Sequence, residues 1–245
     1  MEFFKIWQYS TSLLIVVILN LVVLFYWFLK FQKQLNLRWK EALTIAVLQI
    51  VVGLVSMRLM AIIEVGGNMK EAANMRIFGG IFALLVMYLL WAKRTERDPK
   101  LVMDVAAICT ISGAIGGRLN CLISGCCDGI PVFFYPEMRW PLREVELVYY
   151  AIFVLTYARR IIRRKTHGQV YPIYLMSYGI LRFFSEFVRE EFTGQLGNFH
   201  LAHIWSLISV AIGAVMYYKV QKNVQHGKAG RNKAKSPQNG KRRKK

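Results

Sequence analysis

The chain has 245 residues, of which 55% are hydrophobic, and it carries 33 Lys and Arg residues against 14 Asp and Glu. A soluble domain of this length does not need so much apolar sequence, and here the apolar residues come in runs near the length of about 20 residues that crosses a bilayer. The composition therefore excludes a soluble globular protein and predicts an integral membrane protein.

Seven apolar segments predict an all-α fold with seven transmembrane helices. In chain order they are Leu13–Leu29, Ala42–Ile63, Ile77–Trp91, Leu101–Ile123, Pro141–Ala158, Val170–Val188 and Leu201–Tyr218. The first segment is expected to remain as an anchor, because no small-x-small cleavage site follows Leu29 before the basic loop. Residues 1–218 are therefore expected to form one seven-helix transmembrane domain.

Basic loops predict the orientation of these helices, because short cytoplasmic loops carry an excess of Lys and Arg. Basic segments follow the first, third, fifth and seventh helices: 30–40, 93–100, 159–165 and the tail from 219. The other connections, 64–76, 125–140 and 189–200, mix signs or carry net acid. The N-terminus is therefore predicted to lie outside and the C-terminus in the cytoplasm.

The tail, residues 219–245, is predicted to be a basic, disordered cytoplasmic segment. From His226 onward it is rich in Lys, Arg, Gly, Asn and Ser, a composition that cannot bury enough apolar area to order itself. One interpretation is that the tail is a solvated topology signal. The other is that it binds anionic lipid of the inner leaflet, with about 1 kcal/mol of binding free energy per basic residue near the surface. Nucleic acid is not an expected partner.

The fourth segment contains an arginine, Arg118, in its outer half. A charged side chain near the bilayer centre costs about 2.5 to 3.5 kcal/mol on insertion scales, so this residue calls for an anionic partner. One interpretation is bidentate binding of a lipid phosphate, which suits the planar guanidinium fork. The other is a structural ion pair with a carboxylate on another helix.

The sixth segment contains a stripe of polar residues at Tyr178, Arg182, Glu186 and Arg189. Steps of four, four and three place them on one helical face, with neighbours about 6 Å apart. Such a stripe is expected to line a polar cavity or the bundle interior, open to the outside. A local ion pair between Arg182 and Glu186 is the simpler alternative, but it leaves Arg189 and Tyr178 unexplained.

Three stretches resemble the bacterial prolipoprotein diacylglyceryl transferases, a family of seven-span plasma-membrane enzymes. They are Gly116–Gly129, which has a Gly-Cys-Cys variant of the family motif, Pro141–Glu146 and Tyr178–Arg189. The resemblance implies a role in lipoprotein biosynthesis. Diacylglyceryl would pass from phosphatidylglycerol to the lipobox cysteine thiol of an exported preprotein at the outer leaflet, with glycerol phosphate released. Neither a cofactor nor a metal is expected.

The resemblance also implies roles for individual residues. Arg118 matches the family's essential arginine and, with Arg182, is expected to hold the phosphate. Tyr178 is expected to donate to the headgroup, and Glu186 to orient Arg182. Further residues are expected to bind substrate or to shape its site: Gly117, Gly125, Gly129, Glu146, Arg189, Cys121, Cys126 and His203. Among these, Glu146 is a candidate counter-ion for Arg118.

Several positions depart from the family pattern. Phe78 stands where the family commonly has a histidine important for activity, Cys121 replaces an Asn and Cys126 a Glu. The His of a His-Pro pair is Trp140 here, and the Gln near the start of the last helix is His203. An alternative function is therefore a catalytically altered relative that binds or modifies another phospholipid or a lipopeptide. A small-anion transporter ranks last, because no broken-helix repeat is found.

The cysteines of the fourth-segment motif allow several interpretations. With two nearby histidines, His200 and His203, they could form a soft metal site, although the spacing gives little support. A disulfide from Cys121 to Cys126 or Cys127 is a second interpretation, and a thiolate near a cation is a third. Plain packing of small side chains is the simplest.

Overall fold

The computed structural model describes residues 2–67, 76–125, 127–189, 195–196 and 199–235. Within these ranges the chain forms seven α-helices. They are α1 Glu2–Leu35, α2 Trp39–Glu64, α3 Ile77–Arg94, α4 Pro99–Ser124, α5 Leu142–Ile162, α6 Val170–Ser185 and α7 Leu201–Lys235. The predicted all-α architecture is therefore confirmed, with each helix at one of the predicted apolar segments.

Five of these helices are long and apolar enough to span a membrane. They are Leu14–Leu35, Trp39–Glu64, Ile77–Arg94, Pro99–Ser124 and Leu201–Gln225. The other two are not in this set: α6 has 16 residues, and α5 is charged in its first and last turns. One side of α5 nevertheless exposes Val148, Ile152 and Leu155, as a lipid-facing helix would. Seven crossings, and the sides on which the termini lie, remain predictions.

Helix α4 lies at the centre of the bundle, because it contacts α1, α3, α5 and α6. Around it, α2 packs on α3 and α6 packs on α7. Small residues allow close approach at these contacts. A Cβ atom on Gly79 would lie 2.5 Å from the carbonyl oxygen of Ser56, and one on Gly179 would lie 2.8 Å from that of Ser206. This is the packing that membrane helices commonly use.

The sixth helix ends earlier than the sequence suggested. After Ser185, residues Glu186–Val188 form a 3₁₀ turn, and Arg189 is extended with φ −88° and ψ 137°. The expectation of one continuous helical face therefore fails at Arg189. Its position is fixed instead by backbone pairing of this segment with Gly129 in the connection after α4.

Two short hairpins lie in connections between helices. The first pairs β1, Pro131–Val132, with β2, Tyr135–Arg139, and the second pairs β3, Gln195–Leu196, with β4, Phe199–His200. The end of the last helix also differs from the expectation. α7 continues past Tyr218 to Lys235, over residues such as Lys, Gln and Ala that favour helices. The division of the chain at residue 218 and the disordered cytoplasmic tail stay predictions.

Asp104 ties α4 to the start of α6. Its buried carboxylate accepts the backbone N–H groups of Gly168 and Val170, each at 2.8 Å. In Asp104→Asn the amide NH₂ would face one of these donors, so we expect the free energy of unfolding to fall by about 1–3 kcal/mol. Thermal unfolding in detergent would measure this loss.

Asp98 provides the matched control for that variant. It is exposed and accepts from the N–H of Lys100 at 3.0 Å. Because asparagine caps helices as well as aspartate does, Asp98→Asn should leave stability within about 0.5 kcal/mol. Equal stability of the Asp104→Asn variant and the unchanged protein would contradict the assigned role.

Candidate functional site

Three arginines and two glutamates meet where α4, α5 and the end of α6 come together. Arg118 is on α4, Glu146 is on α5, and Arg182, Glu186 and Arg189 lie on α6 or just after it. All five side chains are buried. Buried charges are normally paired, so the contacts within this group decide its chemistry.

Glu146 lies among three guanidinium groups. Its Oε2 accepts a hydrogen bond from Arg118 Nε at 2.5 Å. Its Oε1 lies 3.7 Å from Arg182 Nη1 and 3.5 Å from Arg189 Nη2. The predicted counter-ion for Arg118 is therefore present, and it also lies within ion-pair distance of the other two arginines.

Glu186 is the second carboxylate of the cluster. Its Oε2 lies 2.9 Å from Arg182 Nη2 and 3.6 Å from Arg189 Nε. The ion pair between Arg182 and Glu186, four residues apart, is thus formed as the helical spacing predicted. His200 approaches the other oxygen, with Nδ1 at 3.9 Å from Oε1.

In the described part of the chain, the cluster has one more guanidinium than carboxylate, and an arginine keeps its charge. Arg189 lies just beyond the predicted sixth span. Burial and the positive charges of Arg182 and Arg118 lower its pKa. Among the described residues, Nε and Nη1 of Arg182 and Nε and Nη2 of Arg189 make no hydrogen bond, although all but Arg182 Nε lie within ion-pair distance of a carboxylate oxygen. Buried donors usually have a hydrogen-bond partner. The excess charge and these donors together fit an anion.

A cavity of about 310 Å³ opens beside the cluster. Arg118, Arg182 and Arg189 all contribute to its lining. Most of the remaining wall is apolar and comes from α1, α2, α3 and α4, with residues such as Leu24, Leu54, Ile81 and Leu84. The cavity therefore combines a cationic region with an apolar one, as a phosphate-bearing lipid requires.

The predicted site residues divide into those that line the cavity and those behind it. Gly117 and Cys121 line it together with the three arginines, whereas Glu146 and Glu186 lie behind the arginines. Tyr178 is also absent from the lining and is fully buried. Its ring centroid lies 5.7 Å from those of both Phe78 and Tyr174. The Tyr178 hydroxyl has no hydrogen-bond partner among the described residues, and donation from it to a headgroup stays a prediction.

Gly125 and Gly129 shape the chain after α4 rather than the cavity wall. Gly125 ends the helix in the left-handed region at φ 64°, which glycine adopts without steric cost. A Cβ atom on Gly129 would lie 2.5 Å from both the Cβ and the carbonyl oxygen of Trp140. Because Gly129 pairs with Arg189, this close approach helps to position a residue of the cluster.

His203 lies outside the cavity lining. It is buried, its Nδ1 accepts the backbone N–H of His200 at 3.1 Å, and its ring packs against Phe187 with centroids 4.6 Å apart. These contacts give it a structural position behind the cluster. The expected contact of His203 with substrate stays a prediction.

The cysteines form no disulfide between Cys121 and Cys127, which both line the cavity as thiols. Cys126 lies outside the described residues, so its predicted role is untouched by the structure. In the part of the chain that is described, no group of three His, Cys, Asp or Glu side chains is arranged to hold a metal ion.

Sequence reasoning did not single out several polar residues that line the cavity. Asn20 and Gln49 come from α1 and α2, and Glu64, Arg76 and Trp205 form a hydrogen-bonded group. A polar residue inside an apolar run indicates a functional or packing role, and this signal could have identified Asn20 and Gln49. Glu64 and Arg76 lay at the ends of predicted helices, where charges are ordinary.

A family model described as prolipoprotein diacylglyceryl transferase matches residues 1–219. Relatives named phosphatidylglycerol–prolipoprotein diacylglyceryl transferase are also similar to the chain. The one from Dehalococcoides mccartyi is 24% identical over 238 residues, covering 87% of this chain and 91% of its own. Those from Helicobacter pylori and Campylobacter jejuni are 24% and 26% identical over 172 and 164 residues, each covering 62% of this chain and 60% of its own. The chain therefore belongs to the prolipoprotein diacylglyceryl transferase family.

Proposed function

We propose that this protein transfers diacylglyceryl from phosphatidylglycerol to the lipobox cysteine thiol of exported prolipoproteins. The observation that carries the proposal is the buried group of three arginines and two glutamates beside a largely apolar cavity. An anionic phosphate would bind the cationic part, and the acyl chains would contact the apolar part. The names of the relatives from three bacterial species give the same donor and the same class of acceptor.

In the proposed reaction, the acceptor sulfur attacks the glycerol carbon that carries the phosphate. A carbon–sulfur bond forms and the carbon–oxygen bond breaks, and its electron pair moves to the phosphate oxygen. The phosphate gains one negative charge as this bond breaks, and glycerol phosphate leaves once the thiol proton has reached that oxygen. Arg118, Arg182 and Arg189 would stabilise that developing charge, because preformed donors act strongly in a site shielded from water.

Each carboxylate has a positioning role in this proposal. Glu146 holds Arg118 through the 2.5 Å hydrogen bond, and Glu186 holds Arg182 through the 2.9 Å contact. Fixing the planar guanidinium groups before the lipid binds lowers the ordering cost of binding. Tyr178 lies behind this layer and supports it through ring packing.

The charge pattern of the loops supports a reaction at the outer leaflet of the bacterial plasma membrane. The ends of α2, α4 and α6 and the start of α7 all contribute to one cavity. The basic connections 30–40, 93–100 and 159–165 come at the other ends of these helices, and basic loops favour the cytoplasm. The cavity would then face exported preproteins.

A transfer assay with the purified protein tests the proposal. Phosphatidylglycerol labelled in its acyl chains and a lipobox peptide are expected to give labelled peptide and an equal amount of glycerol phosphate. Phosphatidylcholine should be a much poorer donor, because its ammonium group would meet the excess positive charge. A folded protein that binds phosphatidylglycerol but releases no glycerol phosphate would contradict the proposal.

One observation favours a second candidate, a relative with an altered substrate or reaction. Phe78 occupies the position of the family's histidine and is buried, with its ring against those of Tyr178 and Phe82. The protein would then bind another phospholipid or a lipopeptide in the same cavity. Arginine-dependent lipid binding without transfer in the same assay would favour this candidate.

A further inference from the structure

The cavity contains a polar group separate from the arginine cluster. Glu64 at the end of α2, Arg76 just before α3 and Trp205 on α7 all contribute to the lining. Arg76 Nε donates to Glu64 Oε2 at 2.6 Å, and Trp205 Nε1 donates to Oε1 at 2.9 Å. Three elements therefore hold one carboxylate at the cavity wall.

Glu64 is the only carboxylate among the described residues that line the cavity, and that lining contains no histidine. Glu146 and Glu186 lie behind the guanidinium groups that they hold, so a molecule in the cavity meets the arginines first. The remaining lining groups that could accept a proton are the side chains of Cys121, Cys127 and Tyr174.

The geometry leaves Glu64 able to accept another hydrogen bond. Each oxygen of the Glu64 carboxylate accepts one hydrogen bond from the described residues. A carboxylate oxygen has two lone pairs, so each can accept a second hydrogen bond. Arg76 and Trp205 also restrict the orientation of the carboxylate. Its side chain is 7% exposed, so competing water is limited while the cavity side stays accessible.

We propose that Glu64 is the proton acceptor for the cysteine thiol, an inference that rests on the proposed transfer reaction. The thiol proton moves to a Glu64 oxygen as the sulfur attacks the glycerol carbon and the carbon–oxygen bond breaks. The proton then passes from Glu64 to the departing phosphate, which restores the carboxylate. The step needs no oxidant, metal or further reactant. Arg76 and Trp205 are positioning residues in this scheme.

The test compares Glu64→Gln with the unchanged protein across pH, using cysteine and selenocysteine lipobox peptides. With cysteine near neutral pH, we expect transfer to fall by about 10²-fold or more. The loss should shrink as pH rises above about 8.5, because the cysteine of the peptide is then already deprotonated in solution and needs no proton acceptor on the protein. A selenol is more acidic than a thiol, so transfer to the selenocysteine peptide should fall much less.

Glu41→Gln is the matched control. Glu41 lies on the same helix at its opposite end and also pairs with an arginine, Arg97, at 2.9 Å. It lies about 35 Å along the helix from Glu64, so this variant should transfer normally. Phosphatidylglycerol binding by Glu64→Gln should also be unchanged. If Glu64→Gln does not fold, Glu64→Asp is used, which should retain partial transfer with the same recovery at high pH.

The outcomes separate this inference from the proposed function. Equal transfer by Glu64→Gln and the unchanged protein would overturn the assignment of Glu64 and leave the transferase function intact. A loss that is the same at every pH and for both peptides would also overturn it, because that result indicates a structural role. Absence of transfer by the unchanged protein to either peptide would overturn both.

Discussion

Glu146→Ala is expected to lower the free energy of unfolding by about 3–5 kcal/mol, because removing one partner of a buried ion pair leaves uncompensated charge. Here three buried guanidinium groups would share the single carboxylate of Glu186. Repulsion among Arg118, Arg182 and Arg189 should then open the contact between α4, α5 and α6. Thermal or denaturant-induced unfolding in detergent, followed by circular dichroism, would measure the loss.

Glu144→Ala serves as the control on the same helix. Its side chain is 47% exposed and lies 3.9 Å from Arg143 Nε, so its removal should cost at most about 1 kcal/mol. Similar stability of both variants would mean that Glu146 does not compensate the buried arginines. Glu146→Gln should fall between them, because the amide can accept from Arg118 but carries no charge.

Arg182→Ala is expected to reduce transfer by about 10²–10³-fold, the usual effect of removing one donor to a developing negative charge. Arg182 lines the cavity and has two nitrogens that lack a hydrogen-bond partner within the described ranges. Arg182→Lys should recover little activity, because an ammonium group cannot present the planar fork that binds phosphate in a bidentate manner. Initial rates of acyl transfer at saturating peptide would measure both effects.

Arg160→Ala provides the control for that variant. Arg160 lies in the last turn of α5, where its guanidinium group packs over the ring of Tyr157. This variant should transfer at the normal rate, since Arg160 is not part of the cavity lining. Full activity of Arg182→Lys would show that charge alone suffices, and full activity of Arg182→Ala would remove Arg182 from the proposed site.

Local sequence patterns were enough to predict the helices and one ion pair. Long apolar runs fix where helices form, since backbone groups in a bilayer must be satisfied within the segment. The four-residue step from Arg182 to Glu186 likewise predicts a contact on one helix, and the two groups lie 2.9 Å apart. Arg118 was identified from its charge inside an apolar run.

The ends of segments were predicted less well. Arg189 continues the helical spacing in sequence, yet the helix ends before it and a backbone pair with Gly129 decides its position. Such a contact joins residues far apart in the chain, and local spacing carries no information about it. The short hairpins and the extension of α7 to Lys235 also went unpredicted.

The sequence by itself determined that this is a helical membrane protein with buried cations, because hydrophobic runs and intramembrane charges act locally. Only the tertiary structure decided which charges meet. Glu146 is 28 residues from Arg118, and Trp205 is 141 residues from Glu64. Contacts between helices depend on how each helix is rotated and how closely its small residues let neighbours approach. For this reason the arginine cluster was partly foreseen, whereas the carboxylate of Glu64 in the cavity wall was not.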